Sequence, residues 1–318
     1  MLEVENIKVV LDESRLAGAK PFIVVGIPAF NEASMISHMV LEAQKYADAV
    51  VVCDDGSNDE TGWIAKDSGA CVVYHQRNLG YGASIKSLFK RARKLNADVL
   101  VTIDADGQHN PNEIPTIVNP IIQDGVDVVI GSRFIETEGT EEMPFYRKLG
   151  AQLITKLVNG SSRHKISDAQ SGFRAYNRQA LERLSPSDSG MGASVEILLR
   201  AKKHDMKIWE VPSSCKYNNG AVPTSTKNPL THGIGVIMSI VRFVIEEKPL
   251  KMLGIPGLLL LFAGLGFGFW MLQIYSIENY IVTNIALASI SFVIIGILTI
   301  FTAVILYAIS RLSHKTIM

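Results

Sequence analysis

The pattern of apolar and polar residues along the chain predicts alternating strands and helices from residue 21 onward. Short runs rich in valine and isoleucine end in glycine, aspartate or another polar residue, as buried strands do. Amphipathic, helix-like stretches such as SMISHMVLEAQKYA, ETGWIAKDSG and YGASIKSLFKRARKL separate them. The five predicted strands are FIVVGIPAF, AVVVCDDG, CVVYHQ, VLVTIDADG and VDVVIGSRF. Because strands that alternate with helices form a parallel sheet covered on both faces, the sequence predicts a doubly wound α/β domain.

The pattern is less regular between residues 135 and 250. It predicts a helix over MPFYRKLGAQLITKLVNG, a loop over SSRHKISDAQSGFRAYN, a second helix over MGASVEILLRAKKHD and a strand in KIWEVPSSCKY. Further on, an apolar stripe predicts an amphipathic helix that either lies along a membrane interface or packs on the domain. The stripe consists of Ile237, Ile240, Val241 and Val244.

Two long uncharged runs end the chain. No charged residue occurs between Lys251 and Glu278, or between Glu278 and Arg311. Each run exceeds the roughly 20 apolar residues that a helix needs to cross a bilayer. A pair of buried helices in a soluble protein is the alternative, but such helices seldom stay uncharged on every side. The sequence therefore predicts two membrane spans.

The basic residues that flank these runs predict their orientation. Lys248 and Lys251 precede the first run, Arg311 and Lys315 follow the second, and the link SIENY contains neither lysine nor arginine. Because lysine and arginine remain on the cytoplasmic side, both outer ends and the large N-terminal domain are expected in the cytoplasm. The opening segment is charged and lacks the apolar core of a signal peptide.

These patterns divide the 318 residues into four parts. We predict an N-terminal extension (1–20), an α/β domain (21–228), an amphipathic juxtamembrane segment (229–250) and a two-helix transmembrane anchor (251–318). The formal net charge of zero gives no indication of nucleic-acid binding. The lipid bilayer is thus the first predicted partner.

The predicted strands carry polar residues at their carboxyl ends, where doubly wound sheets bind ligands. Asp104 and Asp106 stand two residues apart, so their side chains share a face. Two carboxylates so placed can hold Mg²⁺ or Mn²⁺, although a solvated acidic turn has the same pattern. The other residues at these ends are Asn31, Glu32, Asp54, Asp55, Ser132 and Arg133.

Two classes of ligand can be compared at this edge of the sheet, a dinucleotide and a sugar diphosphate. A dinucleotide would require G-x-G-x-x-G after the first strand, where the chain has GIPAFNEAS. The glycines at 80 and 82 follow the third strand instead, with Ile85 where the third glycine should stand. A sugar diphosphate fits better, since a metal at Asp104 and Asp106 would neutralise its charge. Arg133 could bind phosphate, or form a salt bridge within the edge.

Several motifs resemble the family 2 glycosyltransferases, specifically the polyprenyl-phosphate branch that includes dolichol-phosphate mannosyltransferases. They are IPAFNE, VCDDGSND, TIDADGQHNPNE, GSRF and SDAQSGFRAY, they occur in the family's order, and the resemblance spans about residues 21 to 220. It implies a GT-A fold, a GDP- or UDP-linked sugar donor, Mg²⁺ or Mn²⁺, and a polyprenyl or dolichyl phosphate acceptor. Two C-terminal spans also occur in members of this branch.

The resemblance also assigns roles to residues. It implies that Asp104, Asp106 and Gln108 bind the metal and the diphosphate, with Ala105 packed between them, and that Arg133 contacts phosphate. Arg147 resembles an arginine that holds the lipid phosphate, although Ala151 stands where mannosyltransferases often have serine. Lys216 lies near a basic position in the loop over the nucleotide. The remaining residues implied at the nucleotide are Pro28, Phe30, Glu32, Cys53 and Asp55.

The catalytic residues depend on the acceptor. A sugar hydroxyl needs a carboxylate base, for which Asp168 is the candidate. A lipid monophosphate is already largely anionic, since its second pKa is about 6, and needs none. In that case Asp168 could instead be a structural carboxylate paired with Arg174. An inactive membrane adaptor remains a further alternative. The transferred sugar, the lipid length and the oligomeric state are left open.

Overall fold

A computed structural model of the protein describes residues 20–135, 155, 159, 166–215 and 249–315. Its centre is a seven-stranded sheet with the strand order β3-β2-β1-β4-β6-β5-β7. Neighbouring strands are parallel except for β6, which runs antiparallel to both β4 and β5. The strands are β1 (Ile23–Ala29), β2 (Ala49–Asp54), β3 (Cys71–Tyr74), β4 (Val99–Thr102), β5 (Val128–Ser132), β6 (Arg174–Asn177) and β7 (Ile208–Pro212).

Helices cover both faces of this sheet, and every residue of β1 is buried. On one face, the β1 residues Val25 and Ile27 belong to a core that includes Met39 of the first helix. On the other face, Leu88 of the third helix lies so near Gly26 that a β-carbon there would meet it at 3.3 Å. The helices of this unit are α1 (Ile36–Ala43), α2 (Thr61–Asp67), α3 (Tyr81–Lys94), α4 (Ile114–Asp124), α5 (Arg178–Arg183) and α6 (Ala193–Lys203). The predicted layered α/β arrangement is confirmed.

The prediction of a continuous loop through residues 161–177 is wrong at its end, because Arg174–Asn177 forms β6. The segment is only four residues long and begins with arginine, so it has no apolar run that would mark a strand. Pairing with β4 on one side and β5 on the other stabilises it, and a local sequence pattern does not reveal such long-range pairing. The helix predicted just before this loop lies largely outside the described residues.

Two apolar helices, α7 (Ile255–Glu278) and α8 (Thr283–Lys315), follow. By length and composition, Leu250–Glu278 and Thr283–Ile309 could each cross a membrane. The helices pack through small residues, since a β-carbon added at Gly264 would lie 2.7 Å from the backbone nitrogen of Val293. Ser289 also donates a hydrogen bond of 2.8 Å to the carbonyl oxygen of Gly264.

The chain divides into two compact units, Met1–Ile237 and Met238–Met318. The predicted boundary between residues 228 and 229, and nearly all of the juxtamembrane segment 229–250, lie outside the described residues. The four-part division of the chain therefore stays a prediction.

Candidate active site

The carboxyl ends of β2, β1 and β4 lie side by side, which brings the polar residues after them to one edge. Pro28 is in register with Cys53, and Gly26 with Thr102. Phe30 and Glu32 follow β1, Asp54 ends β2, and Asp104 follows β4, so these side chains meet there. This convergence is the one that parallel strands impose on their carboxyl ends.

Four carboxylates form an acidic cluster at this edge, consisting of Glu32, Asp59, Asp104 and Asp106. Burial and the charges of Asp106, Asp59 and Asp104 raise the pKa of Glu32 to about 7. Burial also raises the pKa values of Asp104 and Asp106, and the Asp106 charge adds to the effect at Asp104. Neighbouring negative charges thus disfavour the ionisation of Glu32 and Asp104, and a bound cation would relieve this repulsion.

The donor atoms of the cluster fit a hard divalent cation. Carboxylate and amide oxygens are the ligands that Mg²⁺ and Mn²⁺ prefer. Gln108 follows Asp106 closely and donates its backbone N–H to Asp106 Oδ1 at 3.0 Å. Within the described residues, no three His, Cys, Asp or Glu side chains are grouped as a complete metal site. An ion held by Asp104 and Asp106 would therefore complete its coordination with other oxygens, such as those of water or substrate phosphates.

The antiparallel direction of β6 brings the segment that precedes it next to the acidic cluster. Because β6 starts at the edge where its neighbours end, the preceding residues, including Asp168 and Gly172, reach the site. Thr102 donates a 2.9 Å hydrogen bond to the carbonyl oxygen of Gly172. A β-carbon at Gly172 would lie 2.6 Å from Asp104 Oδ1 and nearer still to Oδ2. The Asp104 carboxylate therefore packs directly against the backbone of Gly172.

Arg133 and Asp168 form a two-point ion pair beside the cluster. Arg133 Nε lies 2.6 Å from Asp168 Oδ2, and Nη2 lies 2.9 Å from Oδ1. Asp168 is fully buried, and its carboxylate also accepts backbone N–H groups from Arg133 and Gln170. Burial tends to raise the pKa of Asp168, but the Arg133 charge and these hydrogen bonds outweigh it and lower the pKa. The Arg133 charge also partly offsets the rise in the pKa values of Asp104 and Asp106 that burial causes.

The structure therefore contains the salt bridge that was one alternative for Arg133, and Asp168 pairs with Arg133 rather than with Arg174. Arg174 is buried, and its guanidinium donates to the carbonyl oxygens of Ser194 at 2.6 Å and Ala169 at 2.8 Å. Its charge acts on Asp104, whose pKa it lowers. The predicted pairing of Asp168 with Arg174 is therefore wrong, because Arg174 binds backbone carbonyl oxygens while Arg133 reaches the carboxylate from the end of β5.

A second polar cluster lies on the β2 and β3 side of the edge. His75 Nδ1 is 2.6 Å from Asp55 Oδ1, and Asp55 also accepts the backbone N–H groups of Leu79 and Gly80 at 3.0 and 2.8 Å. His75 Nε2 lies 3.6 Å from Cys53 Sγ. Burial raises the pKa of Cys53 to about 12, so the thiol is neutral and is not a nucleophile. Asp55, which His75 contacts, fixes the glycine-containing turn that begins α3.

The described residues bring most of the predicted site together. Ala105, between the two aspartates in sequence, is buried in the core, and Gln108 lies near Cys215, with Sγ 3.8 Å from its amide oxygen. Arg147, Ala151 and Lys216 lie outside the described residues. His75 and Gly172 were not predicted from the sequence. His75 was readable as a polar residue at a strand end, whereas Gly172 has significance only through its contact with Asp104. The residues at the edge are Pro28, Phe30, Glu32, Cys53, Asp55, Asp104, Ala105, Asp106, Gln108, Arg133 and Asp168.

Comparison with known proteins identifies the family of the chain. The family model described as glycosyl transferase family 2 matches residues 24–185, half of the chain. The UDP-N-acetylglucosamine--dolichyl-phosphate N-acetylglucosaminyltransferase of Methanococcus voltae is 33% identical over 231 residues, covering 65% of this chain and 91% of the relative. The dolichyl-phosphate hexose transferase of Haloferax volcanii is 31% identical over 228 residues, covering 71% and 95%.

A solved structure supports the fold. Glucosyl-3-phosphoglycerate synthase from Mycobacterium tuberculosis, crystallised with Mn²⁺, uridine diphosphate and phosphoglyceric acid, superposes with a TM-score of 0.51. The alignment has 21% identity and covers 70% of this chain and 78% of that chain. The mostly parallel sheet, with its antiparallel β6, is thus a GT-A fold. With that fold, the family match and the acidic edge together, the chain belongs to glycosyl transferase family 2 and is a glycosyltransferase.

Proposed function

We propose that this protein is a membrane-anchored, inverting glycosyltransferase that moves a sugar from a GDP- or UDP-linked donor to a polyprenyl or dolichyl-type phosphate. The reaction would take place at the cytoplasmic face and supply lipid-linked sugar for glycan assembly. The names of the two dolichyl-phosphate relatives support this acceptor class. Two apolar helices in the same chain would keep the catalytic unit at the membrane where such an acceptor resides.

The state of Asp168 is the observation that carries the choice of acceptor. A base for a sugar hydroxyl must have a carboxylate oxygen available and a pKa high enough to accept a proton. Both oxygens of Asp168 are bound by the Arg133 guanidinium, the side chain is fully buried, and its pKa is lowered. Asp168 is therefore poorly suited as a base. A phosphate acceptor removes the requirement, because it is already an anion near neutral pH.

The remaining residues would bind and align two anionic substrates. Asp104, Asp106 and Gln108 would hold Mg²⁺ or Mn²⁺, which when bound supplies positive charge for the leaving diphosphate. Arg133 would offer its cationic group to a phosphate, and Arg147 is proposed for the lipid phosphate. Holding the two anions in line at low mutual repulsion would then account for most of the rate. The residues proposed for the nucleotide are Pro28, Phe30, Glu32, Cys53, Asp55, Ala105 and Lys216.

Product partitioning tests this function. Full-length protein in lipid would be incubated with Mn²⁺, polyprenyl phosphate and labelled GDP-mannose, UDP-glucose or UDP-N-acetylglucosamine in turn. We expect one donor to give label that moves into the organic phase and is lost when polyprenyl phosphate is omitted. Label that stays in water on an extended sugar acceptor would instead support the hydroxyl-acceptor reaction with Asp168 as base. Failure to transfer or hydrolyse any donor would support the inactive adaptor.

A matched pair of variants tests the metal role. Asp106→Asn should abolish transfer, because it removes one of the two carboxylates proposed to hold the cation. Asp124→Asn makes the same chemical change at an exposed position on α4 and should leave transfer intact. Chelation should abolish the wild-type reaction, and added Mn²⁺ should restore it. Full activity of Asp106→Asn would contradict the proposed metal site.

A further inference from the structure

Glu210 lies on β7 and binds the turn that contains Asp168. Its Oε2 accepts the backbone N–H of Ser167 at 2.7 Å, and its Oε1 accepts the backbone N–H of Asp168 at 3.0 Å. The hydroxyl of Ser167 also donates to Oε1 at 3.1 Å. Glu210 is half-buried and lies in register with Ile130 of the neighbouring strand β5. One carboxylate on a rigid strand thus fixes two successive backbone groups.

This attachment determines where the Asp168 carboxylate points. Asp168 holds the guanidinium of Arg133 through two hydrogen bonds, and a planar guanidinium bound at two points has one orientation. The turn attached to β7 through Glu210 is also attached to β5, because the hydroxyls of Ser132 and Ser167 lie 2.6 Å apart. The connected residues run from Glu210 to Asp168 to Arg133, whose charge acts on Asp104 and Asp106.

We propose that Glu210 is a positioning residue, which holds the guanidinium of Arg133 in place for a substrate phosphate through Asp168. This inference rests on the proposed function, because it assumes that phosphate is what Arg133 meets. Arginine carries considerable rotamer entropy, and a side chain that is ordered before binding loses less of it when the ligand arrives. The phosphate belongs either to the nucleotide sugar or to the lipid acceptor. Both sources present the same chemistry to Arg133.

Steady-state kinetics of Glu210→Gln test the inference. Glutamine keeps the shape of the side chain but loses the charge. Its NH₂ group would also face a backbone N–H, so that one of the two backbone hydrogen bonds is lost. We expect KM to rise about 10- to 100-fold, because losing a group that orients a binding residue weakens binding by about that factor. The change in kcat should be smaller. Varying the nucleotide sugar and the polyprenyl phosphate separately identifies which substrate Arg133 meets. Glu182→Gln, an exposed glutamate on α5, is the matched control and should match the wild type.

A double-mutant cycle separates positioning from general structural damage. Lysine at position 133 cannot make the two-point contact with Asp168, so in an Arg133→Lys background Glu210→Gln should change KM by less than about threefold, within the scatter of additive effects. Equal losses in both backgrounds would show that Glu210 acts elsewhere and would overturn the inference. An unchanged KM in the single Glu210→Gln variant would overturn it as well.

A milder variant keeps the test decisive if Glu210→Gln does not fold. Ser167→Ala removes one hydrogen bond to Glu210 and one to Ser132, and we expect a KM increase of about fivefold per hydrogen bond lost. An unchanged KM in Ser167→Ala would count against the inference. The proposed function fails separately, if the wild type does not use polyprenyl phosphate. In that case the affinity for nucleoside diphosphate with Mn²⁺ would replace KM as the measurement. Glu210→Gln should then bind more weakly than the wild type, and equal affinities would overturn the inference.

Discussion

Asp104 lies against the backbone of Gly172, so the position of its carboxylate depends on the absence of a side chain there. A β-carbon at residue 172 would lie within 2.6 Å of Asp104 Oδ1. The Gly172 carbonyl is held by Thr102, which limits how far this backbone can move. A substitution at residue 172 therefore displaces the carboxylate rather than the backbone.

We expect Gly172→Ala to lower kcat by about 100-fold or more, since a displacement of about 1 Å at a reacting group has that effect. Gly125→Ala is the control. Gly125 has a φ of +61° and no atom within 4 Å of an added β-carbon, so alanine there should cost about 1–2 kcal/mol of stability and leave kcat unchanged. Transfer assays beside thermal unfolding measure both. Wild-type kcat in Gly172→Ala would show that Asp104 is not constrained by this contact.

Single residues also show how far the sequence predicts the site. Asp104, Asp106 and Arg133 were identifiable because each follows an apolar strand, and parallel strands bring such residues together. Gly172 and Glu210 were not, because their roles come from contacts with Asp104 and Asp168. Asp104 is distant from Gly172 along the chain, and neither Gly172 nor Glu210 has a local pattern that marks it. The predicted pairing of Asp168 with Arg174 was wrong for the same reason, since Arg174 is near in sequence whereas the actual partner, Arg133, is 35 residues away.

Among the strands and helices, β6 has the largest effect on the site. It lies between β4 and β5 in the sheet. Its reversed direction brings Asp168 and Gly172 to the edge where the parallel strands end. The sequence predicted the parallel strands from their valine-rich runs. It did not predict β6, whose four residues obtain their order from pairing on both sides.

Helix α6 also fixes an element near the site, through Glu196. Its carboxylate accepts the hydroxyl of Ser187 at 2.6 Å and the backbone N–H of Asp188 at 2.9 Å, and it pairs with Arg200. In the same segment, the carbonyl oxygen of Ser189 accepts the N–H of Gly82 in the first turn of α3 at 2.8 Å. Glu196 thus connects two helices through one short loop.

We expect Glu196→Gln to lower the free energy of unfolding at pH 7 by about 1–3 kcal/mol, because buried donors lose a charged acceptor. Burial raises the pKa of Glu196, but its hydrogen bonds and Arg200 outweigh burial and lower the pKa below the ordinary 4.5. The unfolded chain then binds a proton first as the pH falls, so this stabilisation declines below about pH 4.5. Unfolding of wild type and variant at pH 7 and pH 4 should give a smaller difference at pH 4. A constant difference would contradict the charge-based role.

The helix pair α7 and α8 offers a second prediction at this scale, with a control on the same helix. A β-carbon at Gly264 would lie 2.7 Å from Val293 N, whereas one at Gly266 meets nothing within 4 Å. Gly264→Ala should destabilise the pair by about 1–3 kcal/mol through overpacking. Gly266→Ala should be neutral or stabilising by up to about 1 kcal/mol, because alanine favours the helix. Loss of helical circular dichroism during SDS titration measures both, and equal effects would contradict this packing.

At the scale of the whole molecule, one chain combines a family 2 glycosyltransferase unit with two helices that could span a membrane. In the proposed reaction, a water-soluble donor and a membrane-embedded acceptor would meet at a single surface of the bilayer. A unit that binds both would therefore lie on the side where the nucleotide sugar is present. The distribution of lysine and arginine predicts that this side is the cytoplasm, because the basic residues flank the outer ends of the spans and are absent from their link.

Cysteine labelling in intact cells tests this orientation. Tyr280→Cys places an exposed thiol in the link between the helices and should react with a membrane-impermeant maleimide. Glu182→Cys places one on α5 of the catalytic unit and should react only after the cells are permeabilised. The native chain is a suitable background, because Cys53 and Cys215 are buried and Cys71 is half-buried. Labelling of Glu182→Cys in intact cells, with Tyr280→Cys protected, would place the catalytic unit outside and remove its access to cytoplasmic donors.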